Sequence, residues 1–175
     1  LNKIITVINI YKQKIAHMFR YLMLIMVILL PLNSFSQESK LPNIIMMIGD
    51  GMGLSQISSG MYSNNNYTSL ERSHHIGLIK THSFDDLVTD SAASGTAMSS
   101  GVKTYNRVVG MDVNYSPVKS ILEISRDKGY MTAIIATSTI VHATPASYYS
   151  KVKSRYDYDE IASQLSKSNI NFFVG

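Results

Sequence analysis

The chain contains no cysteine and no tryptophan, and only four of its 175 residues are proline. Without cysteine there are no disulfides, so an exported form must be stabilised by its core or by bound metals. The same absence excludes an anchor attached through a lipid-modified cysteine. These absences leave the fold class open, and it must be inferred from the order of apolar and polar segments.

The sequence also lacks a basic surface in its main part. The net charge is +4, and the four positive charges in excess are those of Lys3, Lys12, Lys14 and Arg20 near the start. Every acidic residue lies beyond Gln37, so positive and negative charges balance from there on. No basic patch with interleaved aromatic residues is present in that part. We therefore expect no nucleic-acid binding.

The first 36 residues have the features of an export signal. Arg20 precedes the apolar run Tyr21–Leu30, which has signal-peptide length and is too short to span a membrane. Small residues at Ser34 and Ser36 predict cleavage before Gln37. Residues 1–17 are interpreted as an upstream extension that precedes a start at Met18. The alternative to a cleaved signal peptide is a membrane anchor that is never cleaved. We expect residues 1–36 to comprise the extension and the signal peptide. Residues 37–175 are expected to form the exported part, which has no stable membrane span and lies in the periplasm or outside the cell.

Apolar runs alternate with helical patterns along residues 37–175. The runs predict buried strands at Ile44–Ile48, Ile76–Thr81, Tyr130–Thr137 and Asn171–Val174. Helices are predicted at Leu54–Tyr62, from Ser91 to a stop at Gly101, from Ser116-Pro117 to Gly129, at Pro145–Lys153 and at Asp159–Ser166. This alternation predicts an α/β fold with a parallel sheet covered by helices.

A helix beginning at Ser91 is the central feature of the chain. Asp90 is a favourable N-cap residue, and small residues follow Ser91. The start of such a helix presents free N–H groups and a positive dipole end, which suit a phosphate. A serine there can attack a phosphoryl group when a metal lowers its pKa. The alternative is an ordinary capped helix.

Further polar residues follow the predicted strands. Asp50 follows the first strand, and His142 and Thr144 follow the strand Tyr130–Thr137. Because ligands of open α/β sheets bind at the carboxyl ends of strands, these side chains are expected to converge with Asp90 and Ser91. Asp50 can alternatively be an Asx-turn residue of a tight loop. His74, His75, His82, Lys103 and Arg107 receive no role.

Three segments with Arg155 resemble the alkaline phosphatase family. They are Pro42–Gly53, Thr89–Met98 and Val141–Pro145, and the resemblance extends from about Asn43 to the C-terminus. It implies an α/β/α sandwich and hydrolysis of phosphate monoesters through a phosphoserine at Ser91. It further implies that Asp90 orients Arg155, and that Arg155 binds the phosphate.

The resemblance also implies metals. Asp50 would bridge zinc and magnesium, Ser91 would contact one of two zinc ions, and His142 and Thr144 would belong to the magnesium site. The metal at that third site stays open, because imidazole suits zinc better than magnesium. The alternative interpretation of His142 is a loop histidine without a metal. The alternative for Arg155 is a solvated charge at the end of a helix.

The remaining metal ligands of the family lie in a C-terminal half that this sequence does not show. We therefore expect the N-terminal part of a larger enzyme, inactive by itself, with a homodimer possible for the complete protein. Alternatives are a phosphodiesterase or sulfatase of the same superfamily, or a non-catalytic exported fragment that binds anions or metal. A metal-free serine acyl hydrolase is disfavoured because no Gly-x-Ser-x-Gly surrounds Ser91.

Overall fold

A computed structural model describes residues 12–23 and 42–175, which fall into two compact units, Leu1–Met47 and Ile48–Gly175. In the first unit, residues 12–23 are helical (α1). Most of the apolar run before Pro31 and the expected cleavage point after Ser36 lie outside the described residues. Within the described ranges, no helix has the length and apolar character needed to cross a membrane.

The second unit contains five α-helices, one 3₁₀ helix and two short strands. In chain order they are α2 (Leu54–Ser63), the 3₁₀ helix (Ser69–Arg72), α3 (Ser91–Ser100), α4 (Ile121–Asp127), β1 (Ala133–Ile135), α5 (Ala143–Ala146), α6 (Tyr158–Ser166) and β2 (Phe172–Val174).

Helix α3 begins and ends where its sequence predicts. The Asp90 carboxylate accepts a hydrogen bond from the backbone N–H of Ala93 at 2.9 Å, which satisfies a free donor of the first turn. Gly101 ends the helix with a φ of 74°, a left-handed conformation that glycine adopts without a Cβ penalty. Ala92 and Thr96 are fully buried, so this helix lies in the core.

The two strands form a parallel pair. Ala133 lies opposite Phe172, and Ile135 opposite Val174. The chain between the strands includes α5 and α6, as expected for a crossover connection. The core contains residues from α3, α4, β1, α5 and α6, and its members include Ala92, Val109, Leu122, Ile134, Ala146, Tyr149, Ile161 and Leu165. The predicted α/β class is confirmed.

Two predicted strands are wrong. Ile44–Ile48 and Ile76–Thr81 have no regular secondary structure, and Met47 and Leu78 are 91% and 99% exposed. A strand needs a neighbour for its backbone hydrogen bonds, and no strand of the described chain pairs with either segment. An apolar run indicates that a segment can be buried, but it does not supply the partner.

Three other boundaries also differ from the prediction. Helix α4 begins after Ser120, whose side chain and Glu123 form a capping box, and not at Ser116-Pro117. Pro117 instead forms an isolated bridge with Met111. Helix α5 ends at Ala146, and Val152 pairs with Val109 where the helix Pro145–Lys153 was predicted. The strand expected at Tyr130–Thr137 is limited to Ala133–Ile135.

Candidate active site

Asp50 lies in a turn that glycine makes possible. The backbone N–H of Met52 donates to the carbonyl of Gly49 at 3.2 Å, which closes the turn. Gly51 has a φ of 67°, in the left-handed region that residues with a Cβ adopt at a cost. The turn presents Asp50 as an exposed carboxylate, although the strand expected before it is absent.

The Asp50 carboxylate joins two hydroxyls from distant parts of the chain. Ser91 Oγ donates to Asp50 Oδ1 at 3.1 Å, and Thr144 Oγ1 donates to Asp50 Oδ2 at 2.6 Å. Each carboxylate oxygen therefore has its own hydroxyl partner. Of the four residues predicted to contact metals, Asp50 therefore hydrogen-bonds to two of the others, Ser91 and Thr144.

Close packing of α3 on α5 brings Thr144 to this position. A Cβ added at Gly95 would lie 2.7 Å from Ser147 Oγ and 3.2 Å from Ser147 Cβ, so a larger residue there would displace the Ser147 side chain. Ser99 Oγ donates to the carbonyl of Ser147 at 2.8 Å, and Ser147 Oγ donates to the carbonyl of Thr144 at 2.7 Å. The small residues that follow Ser91 thus serve the geometry of the site.

Asp90 binds Arg155 beside the start of α3. Arg155 Nη1 donates to Asp90 Oδ2 at 3.1 Å, and the two side chains are 14% and 23% exposed. Asp90 Oδ2 also accepts the backbone N–H of Arg107 at 3.0 Å. With its other oxygen capping α3, the Asp90 carboxylate is fully engaged by donors. It therefore orients Arg155 and α3 together.

His142 lies at the N-cap of α5, two residues before Thr144. Its backbone carbonyl accepts the N–H of Ala146 at 2.9 Å, whereas its imidazole makes no hydrogen bond to Asp50 or Ser91 among the described residues. The histidine is half-buried. It is the one predicted ligand that the described contacts do not join to the others.

Two residues at the site were not predicted from the sequence. Asn106 Oδ1 accepts the backbone N–H of Asp90 at 2.9 Å, and Arg107 contacts both Asp90 and Arg155 through its backbone. The only available signal was an asparagine in a loop, which is common in turns. Nothing local to the sequence indicates that this turn folds back onto the start of α3.

The oxygen atoms gathered around Asp50 suit one of the two metals that the family resemblance implies better than the other. Asp50, Ser91 and Thr144 present hard oxygen atoms close together, which suit magnesium. A zinc site requires a set of His, Asp, Glu or Cys ligands. In the described part of the chain, no group of three or more such residues could hold a metal ion. The described residues therefore fit part of a magnesium site and do not complete a zinc site.

Comparison with known proteins gives a consistent result. The family described as alkaline phosphatase matches residues 41–171. Alkaline phosphatase 4 of Bacillus subtilis is 41% identical over 143 residues, which cover 76% of this chain and 31% of that relative. The alkaline phosphatase of Escherichia coli is 39% identical over 126 residues, covering 66% of this chain and 27% of the relative. The chain thus spans less than a third of the length of these two relatives.

Solved structures agree with the sequence comparison. The alkaline phosphatase of the Antarctic bacterium TAB5 matches with a TM-score of 0.69 and 45% identity, over 71% of this chain and 36% of that one. A variant of the same enzyme with Mg bound in its M3 site matches with a TM-score of 0.70 and 44% identity, over 72% and 36%. Since the family match covers most of the sequence and the fold agrees, the chain belongs to the alkaline phosphatase family.

Proposed function

We propose that this chain supplies the nucleophile and the phosphate-binding arginine of an exported phosphomonoesterase that acts through a phosphoserine. The observation that supports this most directly is the Asp50 carboxylate, which Ser91 and Thr144 share. Family membership supports phosphomonoester hydrolysis in general. The covalent intermediate and the residue roles belong to the proposal.

In the proposed reaction, Ser91 Oγ attacks phosphorus. Ser91 Oγ–H gives its proton to solvent water as the bond from Oγ to phosphorus forms. The ester P–O bond breaks, and the leaving oxygen takes the electron pair and then a proton from water, so the alcohol is released with no net change in protons. Water then hydrolyses the phosphoserine and releases phosphate. Asp50 orients the Ser91 hydroxyl by accepting its hydrogen bond.

Arg155 would bind two phosphate oxygens through its planar guanidinium group. The ion pair with Asp90 restricts the positions the arginine can adopt, which reduces the ordering required when the substrate binds. The N-terminus of α3 adds free N–H groups and a positive dipole end beside Ser91. Together these groups balance the negative charge that develops on the phosphoryl oxygens.

The proposed cofactors are magnesium and zinc. Asp50 and Thr144 would contribute oxygen ligands to magnesium, with His142 nearby, and Asp50 and Ser91 would contribute to one zinc site. When bound, the cations lower the pKa of a hydroxyl and neutralise phosphate charge. Since the described residues do not complete a zinc site, we propose that the 175-residue chain has no turnover by itself.

A chimera tests the nucleophile. Residues 42–171 replace the matching segment of the TAB5 enzyme, and the protein is acid-quenched while it turns over an aryl phosphate. Peptide mass spectrometry is expected to find the phosphoryl group on Ser91, and Ser91→Ala to abolish turnover. Ser100→Ala, at the other end of the same helix, is the matched control. Full activity in Ser91→Ala, or a phosphoryl group on another residue, would refute the proposal.

The same chimera distinguishes the alternative substrates. An aryl phosphate monoester, a bis-aryl phosphate diester and an aryl sulfate are assayed in parallel. Preference for the diester or the sulfate would contradict a phosphomonoesterase.

We also propose export, from the basic and apolar pattern before Gln37. N-terminal sequencing of the exported protein is expected to give Gln37 as the first residue. A mature protein that begins at or before Met18 would contradict the proposal.

A further inference from the structure

A turn between α3 and α4 contacts both halves of the phosphate-binding ion pair. Asn106 Oδ1 accepts the backbone N–H of Asp90 at 2.9 Å, and Asn106 Nδ2 donates to the carbonyl of Val88 at 2.9 Å. One carboxamide therefore holds the backbone on both sides of Thr89. This segment leads directly into Ser91.

These hydrogen bonds are unusual for an asparagine in a turn. Such a side chain usually bonds to its own backbone about two residues on, and so stabilises only its own turn. Asn106 instead bonds to positions 16 and 18 residues earlier in the chain. Both functional ends of its carboxamide are used, so the side chain joins the loop before α3 to the turn that contains Asn106.

The next residue connects the same loop to the arginine. The backbone N–H of Arg107 donates to Asp90 Oδ2 at 3.0 Å, and its carbonyl accepts the backbone N–H of Arg155 at 2.7 Å. Arg107 has a φ of 75°, which is uncommon for a residue with a side chain. Backbone in such a conformation persists only where its surroundings require it, and it is frequent near active sites.

The loop before α3 supports the turn from the other side. The backbone N–H of Asn106 lies 3.4 Å from Asp85 Oδ1, and that oxygen also accepts Ser83 Oγ at 3.1 Å. Ser83 is buried and Asn106 is half-buried. The backbone of Asn106 therefore has a second contact to the loop before α3, besides the contact of its side chain with Asp90.

We propose that Asn106 is a positioning residue that sets Ser91 relative to Arg155, an inference that rests on the proposed function. It never contacts the phosphate. It fixes the Asp90 amide, and Asp90 in turn begins the helix of Ser91 and orients Arg155. Loss of the carboxamide shifts Ser91 and Arg155 relative to each other, which slows phosphoryl transfer more than it weakens substrate binding.

Amide hydrogen exchange in the full 175-residue chain tests the contact directly. Asn106→Ala is expected to speed hydrogen exchange of the Asp90 amide about tenfold, because that amide loses its acceptor, Asn106 Oδ1. The exchange rate of the Ile134 amide in β1 should not change. Asn106→Asp keeps an oxygen acceptor for the Asp90 amide but loses the donor to Val88, and is expected to restore the protection of Asp90. Asn114→Ala is the matched control, because the Asn114 side chain makes no hydrogen bond in the described structure.

Kinetics of the chimera test the consequence. Asn106→Ala is expected to lower kcat about tenfold to hundredfold, with KM changed by less than about threefold. Asn106→Asp should recover part of kcat, and Asn114→Ala should match the parent chimera. If Asn106→Ala does not fold, Asn106→Asp decides the question through kcat and the exchange of the Val88–Asp90 segment.

Three results would overturn the proposal. They are an Asp90 amide that exchanges at the parent rate in Asn106→Ala, a kcat unchanged in that variant, or an equal loss of protection at Asp90 and Ile134 that Asn106→Asp does not restore. Failure of the proposed function has a different signature. It appears as a parent chimera without turnover, or as an active Ser91→Ala, and the exchange experiment still decides the placement of Asn106.

Discussion

Thr144 Oγ1 lies 2.6 Å from Asp50 Oδ2, although 94 residues separate the two in the chain. The contact depends on two independent features, the glycine turn that presents Asp50 and the close packing of α3 on α5 that positions Thr144. Because the other Asp50 oxygen contacts Ser91, a change at Thr144 is expected to affect the proposed nucleophile as well.

Thr144→Val tests this dependence in the chimera. Valine keeps the shape of threonine but removes the hydroxyl, so Asp50 loses an oriented partner and magnesium loses a proposed ligand. The Mg²⁺ concentration needed for half-maximal activity should rise about tenfold or more. Thr144→Ser, which keeps the hydroxyl, is the matched control and should stay near the parent value. Equal Mg²⁺ requirements in the valine and serine variants would contradict a role for the hydroxyl.

Arg155 is expected to stabilise the transition state. Arg155→Ala should lower kcat/KM about a hundredfold, equivalent to on the order of 3 kcal/mol for a lost anion-binding donor. Arg155→Lys should be intermediate, since lysine keeps the charge but cannot bind two oxygens in a planar fork. The inhibition constant of inorganic phosphate should rise in the same order. An alanine variant that keeps parent kinetics would show that the ion pair with Asp90 has only a structural role.

The ion pair between Glu123 and Lys151 predicts a pH dependence of stability. Lys151 Nζ lies 2.8 Å from Glu123 Oε2, with both side chains less than one-fifth exposed. Burial alone would raise the pKa of Glu123, but the hydrogen bonds from Lys151 and Ser120 outweigh it and lower the pKa. A lowered pKa in the folded state contributes stability above the unfolded value of about 4.3, which is lost as the pH falls through the folded value.

Lys151→Met removes the counter-charge and leaves Glu123 partly buried. The free energy of unfolding at pH 7 should fall by about 1.5–3 kcal/mol, the range for a hydrogen bond to a charged group. The difference from the parent should shrink at an acidic pH, below the lowered pKa of Glu123, where its carboxylate is protonated. Urea unfolding at both pH values measures this difference in the free energy of unfolding. Lys167→Met, which replaces an exposed lysine, is the control. A difference of the same size at both pH values would show that the loss is one of packing.

What the sequence predicted correctly is mostly local. The start of α3 at Ser91 follows from the Asp90 cap, and its end follows from Gly101, so both can be inferred from neighbouring residues. The grouping of Asp50, Ser91 and Thr144 followed from their place after successive segments of an α/β pattern. The structure joins these three residues by hydrogen bonds but does not join His142 to them, and the strand Ile44–Ile48, on which the inference partly relied, is not formed.

What it could not predict depends on distant partners. Ile76–Thr81 has the composition of a buried strand, but a strand forms only where another strand accepts its hydrogen bonds. The contact of Asn106 with Asp90 joins residues 16 apart through a side chain, and composition does not encode that geometry. The Arg107 conformation is likewise set by its two backbone contacts and not by a residue type that favours positive φ.

The 175-residue chain, expressed without any other segment, has an incomplete set of metal ligands among its described residues. We predict no measurable turnover of an aryl phosphate, even with zinc and magnesium supplied. Asp50 is exposed and, with the two hydroxyls, gives a cation an incomplete shell, so metal affinity should be low. Bound cations would assist both the loss of the Ser91 hydroxyl proton and the departure of the leaving oxygen, so we expect no turnover where they bind weakly.

The assay uses the chain purified free of host phosphatase, with Ser91→Ala prepared in parallel as the control for contamination. The parent and the variant should give the same background rate with both metals present. Addition of the remainder of the TAB5 enzyme as a separate polypeptide should raise the rate only with the parent chain. A metal-dependent rate from the 175-residue chain alone that disappears in Ser91→Ala would show that these residues form a sufficient catalytic site.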